Sequence, residues 1–247
     1  MNKQLKLTVM TAVAGASIMV ATGAYAACSA VSRTAFEDAA DLAATQTDAF
    51  GFGLPMWATM VDESGKVCHV YSTDSGSANT GAAAGNSAWL GSRVISAQKA
   101  NTANAFSINN LSIPSGAVYV AVQPGGSLYG LQHSNPVDAS KAYGGSPNTV
   151  GTNADFLKNK RIGGVNVFGG GVALYNSSGK VGAIGASGDT SCRDHAFAYR
   201  MRANLGLDDT PNDDTLLLTG VPANLFEHPL CGVADPTTAA DGITVPD

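Results

Sequence analysis

The chain has 247 residues, of which 45% are hydrophobic and 13% are charged, and its formal net charge at pH 7 is −5. This composition provides enough apolar material for one sizeable core. An acidic chain without a run of basic residues cannot neutralise phosphates or anionic lipid head groups, so nucleic-acid binding and membrane-surface binding are excluded as functions.

The amino-terminal residues have the pattern of a secretory signal peptide. Lys3 and Lys6 precede an apolar run over residues 7–20, and the small-residue cleavage pattern AYA ends at Ala26. The apolar run is too short to span a bilayer comfortably. We therefore predict a signal peptide over residues 1–26, no membrane insertion after its cleavage, and a periplasmic or secreted mature protein.

Four cysteines in an exported chain indicate two disulfide bonds. Three pairings are possible, and we favour Cys28 with Cys68 and Cys192 with Cys231. The second bond would fasten a carboxyl-terminal region that shows little apolar periodicity. A metal site is the alternative, but the cysteines lack the close CxxC spacing that a zinc site usually shows.

The first elements along the chain are predicted to be a helix and a hairpin. Apolar residues recur at helical spacing over residues 32–50, where Ser32 or Thr34 can act as the N-cap. Residues 56–61 and 66–71 are apolar runs on either side of a Gly-containing turn, which is typical of a β-hairpin. A helix followed by a hairpin is the first structural unit.

The middle of the chain combines a helix with a long polar segment. Residues 93–106 carry alanines at helical spacing, so the helix that they predict can lie close to a sheet. Residues 117–122 (AVYVAV) have the β-branched content of a strand. Residues 123–160 are polar and punctuated by Gly and Pro, and a loop of that length inside a compact domain is usually functional.

A second hairpin follows, in the stretch around which we expect the fold to be organised. Residues 165–175 and 180–187 are apolar runs that flank the turn NSSG. Glycines recur inside both runs and indicate that other backbone approaches closely. Two helix–hairpin units predict a single α+β domain with an antiparallel sheet flanked by helices. We assign it to residues 27–205, followed by an irregular acidic tail over residues 206–247.

The second hairpin leads into a strand-to-helix corner. Asp189 or Thr190 can cap a helix that begins near Cys192 and carries His195. The corner therefore brings Asp189, Ser191 and His195 close together in the sequence and in space, and such corners often carry functional groups.

The stretch FGGGVALYNSSGKVGAIGASGDTSCRDH, residues 168–195, resembles the central signature of the GlcG/HbpS-like family of bacterial proteins, which are described as haem-binding. MWATMVDESGKVCHV, GSRVISAQKANTANAFS and AVQPGGSLYGLQHSNPVD resemble further blocks, so the likeness extends roughly over residues 56–201. The resemblance implies a profilin-like fold, haem or a related small planar ligand as cofactor and partner, and a short helix rather than a strand over residues 117–122.

Two histidines are candidate ligands of haem iron. His195 lies on the first turn of the predicted helix, where a neutral imidazole suits an iron bond or general-base catalysis. The alternative is a hydrogen bond to Asp189 or Thr190 without any ligand. His133 lies near Tyr129 in the long polar segment, where it could ligate or stack on a porphyrin, or have no role. No histidines have i, i+4 spacing and no CxxCH occurs, so zinc and covalent haem are not expected.

Arg93 is the candidate for binding a carboxylate such as a haem propionate, because a guanidinium presents a fork of donors. Asp189 completes the predicted ligand-binding set of His195, His133, Arg93 and Asp189. The alternative for Arg93 is an ion pair with an acidic side chain elsewhere in the chain.

Three functions follow from these patterns. The first is a secreted haem-binding protein that acts in haem or iron handling or in redox sensing. The second is a small-molecule enzyme that uses Asp189, Ser191 and His195, with Arg93 orienting an anionic substrate. The third is an oligomeric structural or signalling protein. We also predict a homo-oligomer, because the glycine-rich stretch FGGGVALY would otherwise face water.

Overall fold

The computed structural model describes residues 26–46, 50–74, 88–219, 224, 226–232 and 242–244, so the predicted signal peptide lies outside the described residues except for Ala26. The helices are α1 (Ala26–Ala30), α2 (Arg33–Thr45), α3 (Gly91–Phe106), α4 (Leu131–Ser134), α5 (Ala139–Ala142) and α6 (Ser191–Asn204). The strands are β1 (Trp57–Asp62), β2 (Val67–Ser72), β3 (Gly171–Asn176), β4 (Gly179–Ser187), β5 (Leu216–Thr219), β6 (His228–Pro229) and β7 (Ile243–Thr244). Within this described part of the chain, no helix is long and apolar enough to cross a membrane.

Four strands form the main sheet in the order β2-β1-β4-β3, and every neighbouring pair is antiparallel. The two outer pairs are the two hairpins that the sequence predicts. The hairpins meet through β1 and β4, where Trp57 pairs with Ser187 and Asp62 pairs with Gly182. The predicted α+β class with an antiparallel sheet flanked by helices is confirmed.

Both faces of the main sheet are covered. On one face, Met60 of β1 packs in a cluster with Phe36 of α2 and Met201 of α6. On the other face, Trp57 of β1 packs in a cluster with Ala97 of α3. Because both faces are buried, the strands are nearly continuous apolar runs rather than alternating apolar and polar residues.

The amino-terminal ends of α2 and α6 are capped by hydroxyl side chains. At the start of α2, Ser32 Oγ accepts the N–H of Ala35 at 3.1 Å. At the start of α6, Thr190 Oγ1 accepts the N–H of Arg193 at 3.3 Å. Thr190 is therefore the cap of α6, which leaves the Asp189 carboxylate for other contacts.

The glycines of the second hairpin allow α3 to lie almost on the backbone of the sheet. A Cβ atom at Gly185 would overlap the carbonyl oxygen of Ser96, and a Cβ atom at Gly171 would overlap that of Lys99. The predicted close approach of backbone is thus confirmed, but it occurs within the chain. The expectation that FGGGVALY faces water is wrong, because residues 169–175 are buried and Phe168 is the exposed member of the stretch.

The prediction of a strand over residues 117–122 is also wrong. Ser115–Val118 and Val120–Val122 form 3₁₀-helical turns, as the family resemblance implies. Val118 and Val122 lie four residues apart and both pack against Val167. The β-branched side chains therefore bury one face of a helical segment, and tertiary packing overrides their strand propensity.

The carboxyl-terminal segment, which we predicted to be irregular, forms a second sheet in which β5 pairs in parallel with β6 and β7. Leu216 and Leu218 of β5 pack in one apolar cluster with Cys192 and Ala196 of α6. This segment therefore lies as a layer against the last helix.

Disulfide bonds join Cys28 to Cys68 and Cys192 to Cys231, so the favoured pairing is confirmed. The first bond ties α1 to β2. The second bond ties the carboxyl-terminal layer to the first turn of α6.

We expect the variant Cys192→Ser/Cys231→Ser to have a free energy of unfolding lower by about 4 kcal/mol. The disulfide bond restricts the unfolded chain, so its removal increases the conformational entropy that the chain gains on unfolding. The matched control is Cys28→Ser/Cys68→Ser, since the two bonds close loops of nearly equal length, with sequence separations of 39 and 40 residues. Urea unfolding followed by circular dichroism measures both losses. Wild-type stability in the first variant would contradict the prediction.

Candidate functional site

The corner between β4 and α6 is buried and rich in charged groups. Asp189, Asp194 and His195 are all less than one-tenth exposed, as is Lys99 on the facing helix α3. Buried charges need partners, so the contacts of each side chain decide what the corner can do.

Asp189 ties the corner to the segment that precedes β1. Its carboxylate accepts the N–H groups of Phe52 at 2.7 Å and Leu54 at 2.9 Å, and it pairs with Arg193 at 2.6 Å. Burial acts to raise the pKa of Asp189, but the N–H groups of Leu54, Phe52 and Thr190 outweigh burial and hold the pKa below its usual value. Its oxygens are thus occupied by the chain itself, which speaks against Asp189 as a ligand-binding residue.

Lys99 and Asp194 form an ion pair inside the domain. Lys99 Nζ donates to Asp194 Oδ2 at 2.6 Å, and Asp194 Oδ1 accepts the N–H of Asp189 at 2.9 Å. Burial raises the pKa of Asp194 to about 6, although the Lys99 ammonium acts in the opposite direction. The pair fastens α3 to the first turn of α6.

His195 is completely buried, and its Nδ1 accepts the N–H of Gly170 at 3.4 Å. Because Nδ1 acts as an acceptor, the proton of the neutral ring is on Nε2. Burial lowers the pKa of His195 to about 3, so the ring is neutral at physiological pH. The Nε2–H group has no hydrogen-bond partner among the residues that the structure describes. Iron ligation by His195 is therefore opposed by both its burial and its tautomer, since a protonated Nε2 offers no lone pair.

The predicted catalytic use of the corner does not fit this geometry. Ser191 Oγ lies 3.3 Å from Cys231 Sγ, and Asp189 contacts the segment before β1. No hydrogen bond joins Asp189, Ser191 and His195 to one another in the described part of the chain. A nucleophile, a base and a group that orients the base must be linked in this way, so the enzyme alternative loses its structural basis.

Arg93 fastens the long polar segment to α3 instead of facing a ligand. Its Nε and Nη2 donate to the two carboxylate oxygens of Asp155 at 2.9 and 2.5 Å, and its Nη1 donates to the carbonyl of Ala142 at 2.9 Å. The Arg93 side chain is only 6% exposed. The predicted propionate contact is corrected accordingly, and the alternative of an ion pair within the chain is the one observed.

His133 is exposed at the end of the short helix α4. Its neighbour Leu131 lines a cavity of about 380 Å³ together with Phe106 and Val165. No contact joins His133 to His195 in the described chain, so the two predicted iron ligands are not parts of one site. His133 is the one of the two that a molecule can reach from solvent.

A third imidazole, His228 of β6, is buried in a tautomer that one hydrogen bond fixes. Its Nδ1 lies 2.7 Å from the carbonyl oxygen of Pro229, so Nδ1 carries the proton and donates it. The Nε2 lone pair is left free, and within the described residues Nε2 is buried without a hydrogen-bond partner. The ring lies 5.2 Å from that of Tyr119, which in turn lies 6.0 Å from that of Phe168.

Sequence reasoning assigned His228 only to ordering of the tail and missed this arrangement. One signal was present: His228 lies three residues before Cys231, and the partner Cys192 lies three residues before His195. The disulfide bond therefore brings the segments of both histidines to one side of α6. The ring environment itself depends on the fold and has no mark in the sequence.

A cleft of about 530 Å³ lies between residues 111–117 and the carboxyl-terminal layer, and its volume is typical of a small-molecule site. The buried His228 is not among its walls. Phe226 and Glu227, which directly precede His228, are among its walls. A smaller cavity of about 170 Å³ shares Ile113, Ala117 and Phe226 with the cleft. The two cavities thus border one largely apolar surface.

The base of the cleft is fixed by a second buried ion pair. Arg202 donates to both carboxylate oxygens of Asp214 at 2.6 and 2.7 Å, and Ser112 Oγ donates to the same carboxylate at 2.5 Å. Burial acts to raise the pKa of Asp214, but Arg202 outweighs burial and the pKa lies below its usual value. The Asp214 charge is thereby neutralised within the protein.

Among the described residues, no three or more His, Cys, Asp or Glu side chains are grouped so that they could hold a metal ion. A single imidazole is sufficient for the iron of a macrocycle, because the macrocycle supplies the other nitrogen ligands. His133 is the exposed histidine, whereas His69, His195 and His228 are buried.

Comparison with known proteins places these residues in a family context. A family model described as "Haem degrading protein HbpS-like" matches residues 31–202. No curated protein matches the chain. A Klebsiella pneumoniae protein, ORFY, is similar in structure, with 20% identity over 83% of this chain and 97% of that chain and a TM-score of 0.46. PduOC in a complex with heme is also similar, with 22% identity over 72% of this chain and 94% of that chain and a TM-score of 0.47.

Proposed function

Since this chain belongs to the HbpS-like family, we propose that it is an exported haem-binding protein. The observation that carries the proposal is the largely apolar cleft of about 530 Å³ between residues 111–117 and the carboxyl-terminal layer. The family description names haem degradation, and binding is the step that degradation shares with haem handling and redox sensing. Haem supplies a flat apolar surface and an iron atom that accepts an axial nitrogen.

The residues of the chain would hold haem by burial of its apolar surface. Ile113, Leu217 and Phe226 offer apolar contact on the walls of the cleft. Glu227 and Asp213 also line the cleft and repel like charges, so we expect the propionates to point towards solvent. His133 stays in the proposal as the solvent-accessible imidazole named from the sequence.

Export is part of the same proposal. The two disulfide bonds support it, because thiols in the cytosol are kept reduced. The signal peptide predicted over residues 1–26 would direct the chain to the periplasm or the medium. Cytosolic retention of the full-length chain in a fractionation experiment would contradict this part of the proposal.

Self-association as a homo-oligomer stays a prediction, but the stretch FGGGVALY does not support it. The glycine-rich stretch is covered within the chain, so it provides no interface. Exposed apolar side chains occur elsewhere, at Leu42, Trp89 and Leu90. These side chains are the surface on which an interface is now expected.

We expect the mature wild-type protein to bind hemin in a saturable manner and to give a Soret band. Phe226→Ala should weaken binding about 5-fold, because roughly 1 kcal/mol of apolar contact is lost with a half-exposed ring. The matched control is Phe52→Ala, since Phe52 is 56% exposed, Phe226 is 64% exposed, and Phe52 does not line the cleft. An absorbance titration measures all three proteins, and equal affinities would place haem elsewhere.

A further inference from the structure

We infer that the cleft between residues 111–117 and the carboxyl-terminal layer binds apolar molecules that carry a positively charged amino group. A protonated amine has the opposite charge to the haem propionates, so this ligand class goes beyond the proposed haem binding. The apolar walls of the cleft, its charges and the direction of its hydrogen bonds all favour such a ligand.

The walls of the cleft offer apolar surface to a small molecule. The cleft has a volume of about 530 Å³, and the smaller cavity of about 170 Å³ extends it past Ile113, Ala117 and Phe226. Two of its apolar side chains, Leu111 and Phe226, are 42% and 64% exposed. An aliphatic or aromatic body that covers these side chains is removed from water, and this burial supplies affinity.

The charged side chains among the described residues that line the cleft are all acidic, namely Asp213, Asp214 and Glu227. Asp214 is neutralised by its ion pair with Arg202 at 2.6 Å. Asp213 is exposed to solvent, and Glu227 is 6% exposed. Thr219 Oγ1 donates to the Glu227 carboxylate at 3.2 Å and thereby helps to orient it. A positively charged group in the cleft is therefore attracted, and a carboxylate is repelled.

The hydrogen-bond donors of the walls are largely engaged within the chain. Ser112 Oγ donates to Asp214 at 2.5 Å. Asn212 Nδ2 donates to the carbonyl groups of Ser112 at 3.1 Å and Asp213 at 2.8 Å. The backbone N–H of Thr215 donates to Asp213 Oδ1 at 3.0 Å. A carboxylate ligand needs several donors, whereas an ammonium group needs acceptors, and acceptors are what these walls supply.

The two sides of the cleft are held together before any ligand binds. Asn212 Oδ1 accepts the N–H of Ser112 at 2.7 Å, and its Nδ2 donates back to the carbonyl of Ser112, across 100 residues of sequence. The disulfide bond of Cys231 fastens the segment that carries Phe226 and Glu227. A preformed cleft loses little conformational freedom when it binds a ligand, so less of the binding free energy is lost to ordering.

Three probes of similar size separate the effect of charge from that of apolar contact: naphthylmethylammonium, naphthylmethanol and naphthoate. Each is measured with the wild-type protein by equilibrium dialysis at neutral pH and low ionic strength. We expect the ammonium probe to bind about 10-fold more tightly than the neutral alcohol, and naphthoate to bind more weakly than the alcohol. Added salt should reduce the difference between the ammonium and the alcohol, because it screens the exposed Asp213.

The charge of the walls is tested with Asp213→Asn/Glu227→Gln, which removes two negative charges and keeps the size of both side chains. We expect this variant to bind the ammonium about 10-fold more weakly than wild type and the alcohol within about 2-fold of wild type. The matched control is Glu63→Gln, which removes a charge from the exposed turn between β1 and β2, outside the cleft. It should bind all three probes within about 2-fold of wild type.

The outcomes are distinct from those of the hemin titration. Equal affinities of wild type for the ammonium and the alcohol, no binding of any probe, or an unchanged preference in the double variant would each overturn the inference. Preference for the ammonium without a Soret band would support the inference and contradict haem binding, and hemin binding without this preference would do the reverse. Circular dichroism first shows that each protein is folded. Should the double variant not fold, Asp213→Asn, at an exposed position, replaces it with an expected loss of about 3-fold.

Discussion

Acidification from about pH 7.5 to about pH 4.5 is expected to remove about 5 kcal/mol of stability through the buried histidines His195 and His228. Burial lowers the pKa of His195 to about 3 and that of His228 to about 4, whereas an unfolded histidine has a pKa of about 6.5. The unfolded chain therefore takes up protons first as the pH falls. The loss begins near pH 6.5 and continues until the pH reaches the two folded-state pKa values.

Each ring contributes about half of this loss. At pH 4.5 the pH is about two units below the unfolded-state pKa, while the folded ring is still mostly neutral. Each unit of this difference corresponds to about 1.4 kcal/mol. Around His195, the positive charges of Arg202, Lys99 and a protonated His228 lower the pKa further, while Asp214 acts to raise it. Protonation of either ring thus places a charge in a layer that has no water to solvate it.

The measurement is urea unfolding of wild type and of His195→Gln/His228→Gln across this pH range. The slope of the unfolding free energy against pH should be smaller in the double variant, because neither glutamine titrates. Burial raises the pKa of Asp194 to about 6, so its titration increases the unfolding free energy as the pH falls, opposite to the histidines. Asp194 is present in both proteins, so its effect cancels in the comparison. Identical slopes would show that the two rings are not buried neutral groups.

Replacement of Lys99 by Met is expected to lower the free energy of unfolding by about 3–5 kcal/mol, because it leaves the Asp194 carboxylate buried without its charge partner. The two groups are 2.6 Å apart, and their side chains are 2% and 3% exposed. Water therefore cannot replace the ammonium. The Asp189 N–H, which Asp194 also accepts, supplies only a neutral partner.

The double variant Lys99→Met/Asp194→Asn should recover at least half of the loss, because it removes both charges and keeps an oxygen for the Asp189 N–H. The matched control is Lys141→Met, which breaks an ion pair of 2.7 Å with Asp138 whose side chains are 47% and 37% exposed. That change should have a far smaller effect on stability, because solvent screens both partners. Chemical denaturation at neutral pH measures all four proteins, and a double variant no more stable than Lys99→Met would contradict the account.

The sequence by itself determined the elements that depend on short-range patterns. The two hairpins, α2, α3 and α6 follow from apolar periodicity, turn residues and caps such as Ser32 and Thr190. These features involve residues only a few positions apart, so their physical cause is visible in the sequence. The disulfide pairing is the one that we favoured, but each of the three possible pairings fastens Cys231, so only the fold decides between them.

Tertiary structure decided which polar groups meet, and therefore which residues can hold a ligand. Arg93 meets Asp155, 62 residues away, and Asp189 meets Phe52, 137 residues away, so neither faces a ligand. Residues 117–122 bury a helical face against Val167, which their strand propensity does not reveal.

The histidines show the physical reason most directly. His195 and His228 are the same residue type, and the position of the ring proton follows from the backbone group that each Nδ1 atom meets. The N–H of Gly170 places the proton of His195 on Nε2, whereas the carbonyl of Pro229 places that of His228 on Nδ1. Gly170 is 25 residues from His195 in the chain. Burial beside the carboxyl-terminal layer leaves both Nε2 atoms without hydrogen-bond partners among the described residues. Because hydrogen-bond partners and burial set the chemistry of an imidazole, the protonation state and accessibility of each histidine follow only from the tertiary structure.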